Sequence, residues 1–299
     1  MTGNRTWASC SRRSSRAGGG WNTSKSRNRH WGTSLLNWRT ELIQASAFFY
    51  KIGLITRKRI FHVFEILFWP AIGLVSVGLL TRYLQLDPTQ VAFILVGVIA
   101  LSVLQVGQLD ISYVILYSVW NKSLKHEIAT PMTPFHLVFG AWVMGVIHSL
   151  IVFVLLSFFS AWAFGFRFLD AGLSALFLFY LGLVLSSAVI GVAVIALAFR
   201  FGGRAHVGAT SIVSVLILLS GIYYPVTVLP QSLQVLSACI PVTYFLEFFR
   251  SQYGFEPSNE HLLLRGFILV LLYLAASIGT LLMALRHAKQ SGVLLKMSE

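Results

Sequence analysis

Three ionisable residues stand inside or beside long apolar runs, and any chemistry in this chain would have to start there. Asp110 lies in Gly107-Gln108-Leu109-Asp110-Ile111-Ser112-Tyr113, with Gln105 just upstream. His148, followed by Ser149, sits in a second apolar run, and Glu65 stands in a third, near Arg59 and His62. An ionised group in such surroundings is expensive unless a partner or water meets it. The polar neighbours of Asp110 point to a helix face turned toward protein or water. There its carboxylate either bonds across to another helix or lines a pathway. His148 reads as a satisfied packing residue or a proton carrier, and Glu65 as an acid paired or snorkelling at an interface. No two of the three form a relay evident in the sequence.

Catalytic signatures are missing. There is no G-x-x-x-x-G-K-[ST] phosphate cradle and no G-x-S-x-G nucleophile turn. His126-Glu127 is followed by Thr130 where H-E-x-x-H needs a second histidine. The histidines (His30, His62, His126, His136, His148, His206, His261 and His287) are scattered, with no plausible ligand set among them. Cys10, in a polar stretch, and Cys239, in an apolar one, cannot build a disulfide framework or a cysteine-rich metal site. The expectation is a chain that binds no metal or cofactor of its own and is not an enzyme.

The elements that hold these residues follow from composition. Of 299 residues, 56% are hydrophobic and 11% charged, against roughly 45–50% and about 25% in soluble domains. Mean hydropathy is +0.75. So few charges cannot cover a water-soluble globule, and a disordered chain would lack this much apolar surface. The solvent for most of this chain is a lipid bilayer. The net charge of +13 would suggest nucleic acid in a soluble protein, but its distribution gives another reason for it.

Residues 1–33 are rich in Ser, Arg, Gly and Asn, carry no acid, and read as a disordered basic tail. Arg12-Arg13 lacks the apolar region that a twin-arginine signal needs; an organelle transit peptide is a second reading of the tail. From 34 the pattern changes. Trp38, Leu42, Ala45, Phe49 and Ile52 fall at steps of four and three, along one helix face that Arg39, Glu41, Gln44 and Lys51 avoid. With Arg57-Lys58-Arg59 closing the segment, 34–59 reads as an amphipathic helix in the headgroup region.

About 20 helical residues cross the hydrocarbon core, which gives six expected spans near 60–81, 91–118, 135–164, 171–198, 207–224 and 266–286. The apolar stretch 225–249 is cut by Pro225, Pro230 and Pro241 into pieces too short to cross. It reads as two half-helices that dip in and return, shielded by the other spans. Of the 23 Lys and Arg, all but Arg82, Arg167, Arg250 and Arg265 then fall on one side. The positive-inside rule makes that side the cytoplasm, with both termini on it. The domain plan is a tail at 1–33, a six-helix membrane domain at 34–290 and a cytoplasmic tail at 291–299. No nucleic-acid partner is needed to explain the charge. Ala141/Gly145, Ser187/Gly191 and Ala275/Gly279 are small-residue pairs that permit close helix approach. The connection 119–134, mixed in charge, forms either a plain loop or a short helix that docks on a cytosolic partner.

Two segments carry a family resemblance. Leu219-Ser220-Gly221-Ile222-Tyr223-Tyr224-Pro225-Val226-Thr227-Val228-Leu229-Pro230, then Ile240-Pro241-Val242-Thr243-Tyr244, then Glu247 and Arg250, resembles the signature region of ABC-2-type transport permeases. Thr130-Pro131-Met132-Thr133 is similar to that family's element after its coupling helix. The resemblance spans about 36–290. It implies an all-α integral membrane protein of six transmembrane helices, with an N-terminal amphipathic interfacial helix and re-entrant half-helices before the last span. It further implies pairing, as a homodimer or with a related permease, in the plasma membrane. A separate ABC ATPase subunit would bind ATP and Mg. By resemblance Lys122, Lys125, His126, Glu127 and Thr130 would touch that ATPase, and the region of Tyr223 to Arg250 would form the outer gate. Glu247 and Arg250, three residues apart, would pair at its rim, a surface contact worth under ~1 kcal/mol. The expected function is the permease of an ATP-driven exporter for an amphipathic, lipid-like or drug-like compound. A secondary carrier or channel working without an ATPase is the alternative; a membrane-embedded enzyme or assembly factor would need a catalytic cluster that the sequence lacks.

Overall fold

Residues 60–121, 134–201, 205–257 and 261–290 are described by the computed structural model. Their regular elements are all helical: α1 (Ile60–Tyr83), α2 (Pro88–Trp120), α3 (Pro134–Phe164), α4 (Leu173–Phe201), α5 (Ala205–Leu219), α6 (Gln231–Ala238), α7 (Pro241–Ser251) and α8 (Leu262–Gln290). Single 3-10 turns lie at Phe168–Ala171 and Val226–Val228. The amphipathic segment, the basic tail, the candidate ATPase contact at Lys122 to Thr130 and the C-terminal tail lie outside the described residues.

Among the described residues, α1, α2, α3, α4 and α8 are long and apolar enough to cross a membrane. The count becomes six if α6 and α7, bent by 92° to each other, make one span. The chain is an all-α, multi-pass membrane protein. One expected boundary needs correcting. The fifth apolar block was expected to run to 224, but α5 stops at Leu219 after 15 residues, about 22 Å of helix. Gly221 takes a left-handed φ of +71°, which ends the helix as only glycine does cheaply. Pro225 then pushes Tyr224 away from the α region.

Two buried cores lie along the helices. The first joins Leu95, Ile99 and Leu104 of α2 to Val152 and Phe153 of α3, Phe179 and Leu183 of α4, and Phe245, Leu246 and Phe249 of α7. The second joins Ile111, Ile115 and Leu116 of α2 to Val194, Ile195 and Phe199 of α4, and Leu281 and Ala288 of α8. Thus α2 belongs to both. Large apolar side chains on the outer faces, such as Trp69 of α1, Phe158 and Trp162 of α3 and Met283 of α8, are exposed, as suits contact with lipid tails.

Glycines set how closely the helices approach. A Cβ on Gly145 would stand 3.0 Å from the Gly107 carbonyl oxygen, and one on Gly107 would stand 2.6 Å from Ser187 Oγ. On Gly191 it would meet Ile111 at 2.7 Å. So Ala141/Gly145 and Ser187/Gly191 each contain a glycine at a tight helix crossing. Gly279 has nothing within 4 Å, so Ala275/Gly279 does not mark a crossing among the described residues.

Candidate functional site

The prolines that interrupt 225–249 organise the connection from α5 to α7. Pro225 precedes the turn Val226–Val228. Pro230 caps α6, and Pro241 opens α7 at the first helical position, where its missing N–H costs nothing. The sharp corner between α6 and α7 is closed by the residues after Pro241. Thr243 Oγ1 donates to the Ser237 carbonyl at 3.3 Å, and Tyr244 OH donates to the Ala238 carbonyl at 2.8 Å. Tyr273 of α8 donates to the Cys239 carbonyl at 3.0 Å. Gln234 Nε2 reaches the Leu229 carbonyl at 2.8 Å. These bonds satisfy carbonyls that a broken helix would otherwise leave orphaned in a low-dielectric setting.

Helix α7 is strongly two-faced. Pro241 to Leu246, Phe249 and Arg250 are buried. A Cβ on Gly182 of α4 would collide with the Phe245 ring, and one on Gly266 of α8 would stand 3.1 Å from it. Phe249 stacks on Phe179 at 4.3 Å and on Phe168 at 5.5 Å between centroids. Tyr253, just beyond α7, donates to the carbonyls of Arg167 at 2.9 Å and Phe168 at 3.1 Å. Burial, reinforced by the charge of Asp170, raises its phenol from 10.0 to about 12. It therefore remains a donor at neutral pH. These contacts collect the ends of α3 and α7 and the start of α4 at one end of the bundle.

Arg250 holds that end together. Its Nη1 donates to the Gly221 carbonyl at 2.7 Å, while Nη2 donates to Ile222 at 2.8 Å and Phe93 at 3.0 Å. Its guanidinium lies 3.4 Å from the Phe93 ring centroid, a close cation–π contact. Only 3% of the residue is exposed. The expected surface pair with Glu247 at a rim is therefore corrected. Glu247 acts on Arg250 electrostatically, but the arginine is buried and spends its terminal nitrogens on the backbone of the α5–α6 connection and of α2. Arg250 belongs here because its fork can meet several carbonyls at once, as lysine cannot.

The other motif residues frame this staple. Ser220 donates to the Leu216 carbonyl and Tyr224 OH to the Leu218 carbonyl, both closing the end of α5. Gly221 supplies the turn, and its carbonyl takes one of the Arg250 bonds. Tyr223 is 36% exposed, and Pro225 and Pro230 are exposed, with Leu229 half-buried. Gly97 was not singled out by sequence. A Cβ there would collide with the Ile222 carbonyl and stand 2.9 Å from Arg250 Nη2. A glycine mid-span, on the helix that receives an arginine, is the signal that could have found it.

Far from this end, Asp110 and His148 meet. His148 Nδ1 and Asp110 Oδ2 are 2.7 Å apart, with each side chain 11% exposed. The approach is allowed by Gly107 and Gly145, each three residues upstream of its ionisable partner, where a Cβ on Gly145 would stand 3.4 Å from Asp110 Cβ. Next to His148, Ser149 Oγ lies 3.0 Å from Tyr180 OH, which donates to the Val146 carbonyl at 2.7 Å. Three helices thus share polar contacts between the two cores. For Glu65 only the backbone helix is described. In a double-mutant cycle, Asp110→Asn with His148→Leu is expected to give a coupling energy of about 0.6–2 kcal/mol in detergent unfolding, the range for polar contacts between membrane helices. A coupling of zero would mean that the pair is not formed.

The chain is 42% identical over 60 residues to an uncharacterized protein of Archaeoglobus fulgidus; the aligned part covers 20% of this chain and 94% of that one. The family model described as ABC-2 type transporter matches residues 49–253, a stretch that holds the helices from α1 to α7. The apolar helices, the proline-cut connection and the stapled helix α7 all fall within the match, and this chain belongs to the ABC-2 type transporter family as the transmembrane permease of an ABC transporter.

Proposed function

We propose that this permease exports an amphipathic, lipid-like or drug-like compound, using ATP hydrolysed on a separate subunit that holds the nucleotide and Mg. Two permease halves, identical or related, would sit in the plasma membrane with both termini in the cytoplasm. Closure of the ATPase pair would press on Lys122, Lys125, His126, Glu127 and Thr130, with the amphipathic segment as a second lever. The push would reach α2 directly, because this connection leaves from its C-terminal end.

One observation carries the proposal: Arg250 fastens α7 and the Gly221–Ile222 turn to α2 near Phe93. Any tilt of α2 would drag the broken helix pair with it, which is what a gate driven from the far side requires. The mostly apolar, aromatic spans favour an amphipathic cargo over an ion.

The test is reconstitution with the partner ATPase, scoring which compounds stimulate ATP turnover. Lys125→Ala with Glu127→Ala is expected to lower substrate-stimulated turnover by about fivefold or more. Unchanged turnover would remove this connection from the coupling route. The Asp110–His148 pair is what a carrier working without an ATPase would need. Uptake driven by an imposed proton gradient in nucleotide-free liposomes would favour that second reading.

A further inference from the structure

Between the two buried cores runs a thin layer of small and polar side chains, and it crosses three helices. On α2 the first core ends at Val106 and the second begins at Ile111; Gly107, Gln108 and Asp110 lie between them. On α3 the layer holds Gly145, His148 and Ser149, all buried. On α4 it holds Ser186 and Ser187, each 2% exposed, which donate to carbonyls of their own helix at Gly182 and Val184. Glycine and serine raise no ridge that would lock neighbouring helices at one crossing angle. The leucine, isoleucine and phenylalanine side chains above and below do.

Within this layer α2 is held at a point. The 2.7 Å bond from Asp110 to His148 ties it to α3. Gly107 brings it against Ser187 of α4, and Gly191 of α4 makes room for Ile111. Asp110 and Ile111 are adjacent in sequence, so they point about 100° apart around the helix. The tie to α3 and the contact with α4 therefore lie on different sides. A slide of α2 along α3 would break the Asp110–His148 bond, whereas a turn about that bond keeps it. Such a turn swings the two ends of α2 past α4 in opposite senses. The point is also central. Phe93, whose carbonyl takes a bond from Arg250, is about 21 Å from Gly107 along the helix, and Trp120 is about 20 Å away in the other direction.

We propose that Asp110 and His148 are the positioning residues about which α2 pivots, with two arms of nearly equal length. A push at the Trp120 end then returns at the Arg250 staple reversed in sense and similar in size. The pair acts through α2 and touches no cargo. The proposal deepens the coupling route given above and rests on it only for the source of the push.

Spin labels test it in the full chain in nanodiscs, with Cys10→Ser and Cys239→Ser and one labelled copy per disc. One label pair, at Thr89 and Leu173, joins the starts of α2 and α4. The other, at Asn121 and Phe201, joins their ends, and all four residues are exposed. Both distances are measured by electron–electron resonance in four states: the permease alone, Gly97→Ala, which crowds the first arm, Arg250→Ala, which frees it, and the ATPase complex with and without nucleotide. As one distance lengthens the other is expected to shorten, with a slope near −1 across the states, as arms of about 21 and about 20 Å require. Asp110→Leu with His148→Leu is expected to abolish that correlation. His148→Asn, which keeps a donor near the place of Nδ1, is expected to retain it. A purely structural pair would shift the unfolding midpoint and leave the slope alone. Distances that change with the same sign, that change at one end only or that stay fixed in every state would overturn the pivot, as would an unchanged slope in the double leucine variant. Gly97→Ala and Arg250→Ala need no ATPase. Opposed changes in those variants with none on nucleotide binding would leave the pivot standing and remove the proposed coupling route.

Discussion

Replacing Arg250 by alanine is expected to destabilise the permease by about 3–5 kcal/mol, the cost of breaking a buried charged network. The side chain supplies donors to the carbonyls of Phe93, Gly221 and Ile222, and alanine would leave all three without them. Each buried orphan acceptor costs about 1–3 kcal/mol. Arg250→Lys keeps the charge but not the fork, so one ammonium cannot serve the same three carbonyls. It should fall between wild type and alanine. Unfolding in mixed micelles orders the three proteins. Equal midpoints for wild type and Arg250→Ala would mean that the arginine holds nothing together.

Gly97→Ala is expected to have the second largest effect, although it adds a single methyl group. That methyl would occupy the place of the Ile222 carbonyl, which is backbone and already fixed by Arg250. Overpacking of this kind costs about 1–3 kcal/mol when the neighbours yield; here they yield only by losing the staple. Gly279→Ala in α8 is the matched control. With nothing within 4 Å, it should be neutral or gain about 0.5–1 kcal/mol from helix propensity. The double variant Gly97→Ala with Arg250→Ala should cost less than the sum of the single changes, because both act on the Ile222 carbonyl. Strict additivity, or a Gly97→Ala protein as stable as Gly279→Ala, would contradict the close approach of α2 to the turn.

These two residues also show how far the sequence can be read. The long helices were legible because each must present some 20 apolar residues to lipid, and the prolines at 225, 230 and 241 marked where helices break. The early end of α5 was harder. Tyr223 and Tyr224 are apolar enough to extend a hydropathy block, and only the left-handed backbone of Gly221 ends the helix before them. The burial of Arg250 was hidden for a different reason. Its partners are carbonyls, which every residue carries, so the contact leaves no side-chain signature at Phe93 or Ile222. An arginine three residues from a glutamate then reads as a surface pair. Asp110 and His148 sit 38 residues apart on different helices, and neither spacing nor composition pairs them. The faint trace is a shared register, Gly107-x-x-Asp110 and Gly145-x-x-His148, in which each glycine opens room for the polar group one turn later.

Helix α2 has a consequence of another kind. Its apolar window of 31 residues would measure about 46 Å, against a hydrocarbon layer of roughly 30 Å. A lone helix of that length would have to tilt steeply or thicken the surrounding lipid. Here 72% of an 18-residue stretch of that window is buried by protein, while the corresponding 18-residue stretches of α1 and α8 are each 22% buried. The window of α1, 18 residues, comes to about 27 Å. Hydrophobic mismatch is therefore felt by the outer helices, and the long central rod is insulated from it. A membrane that grows thicker or thinner should reorient α1 and α8 first and leave the length of α2 unaltered.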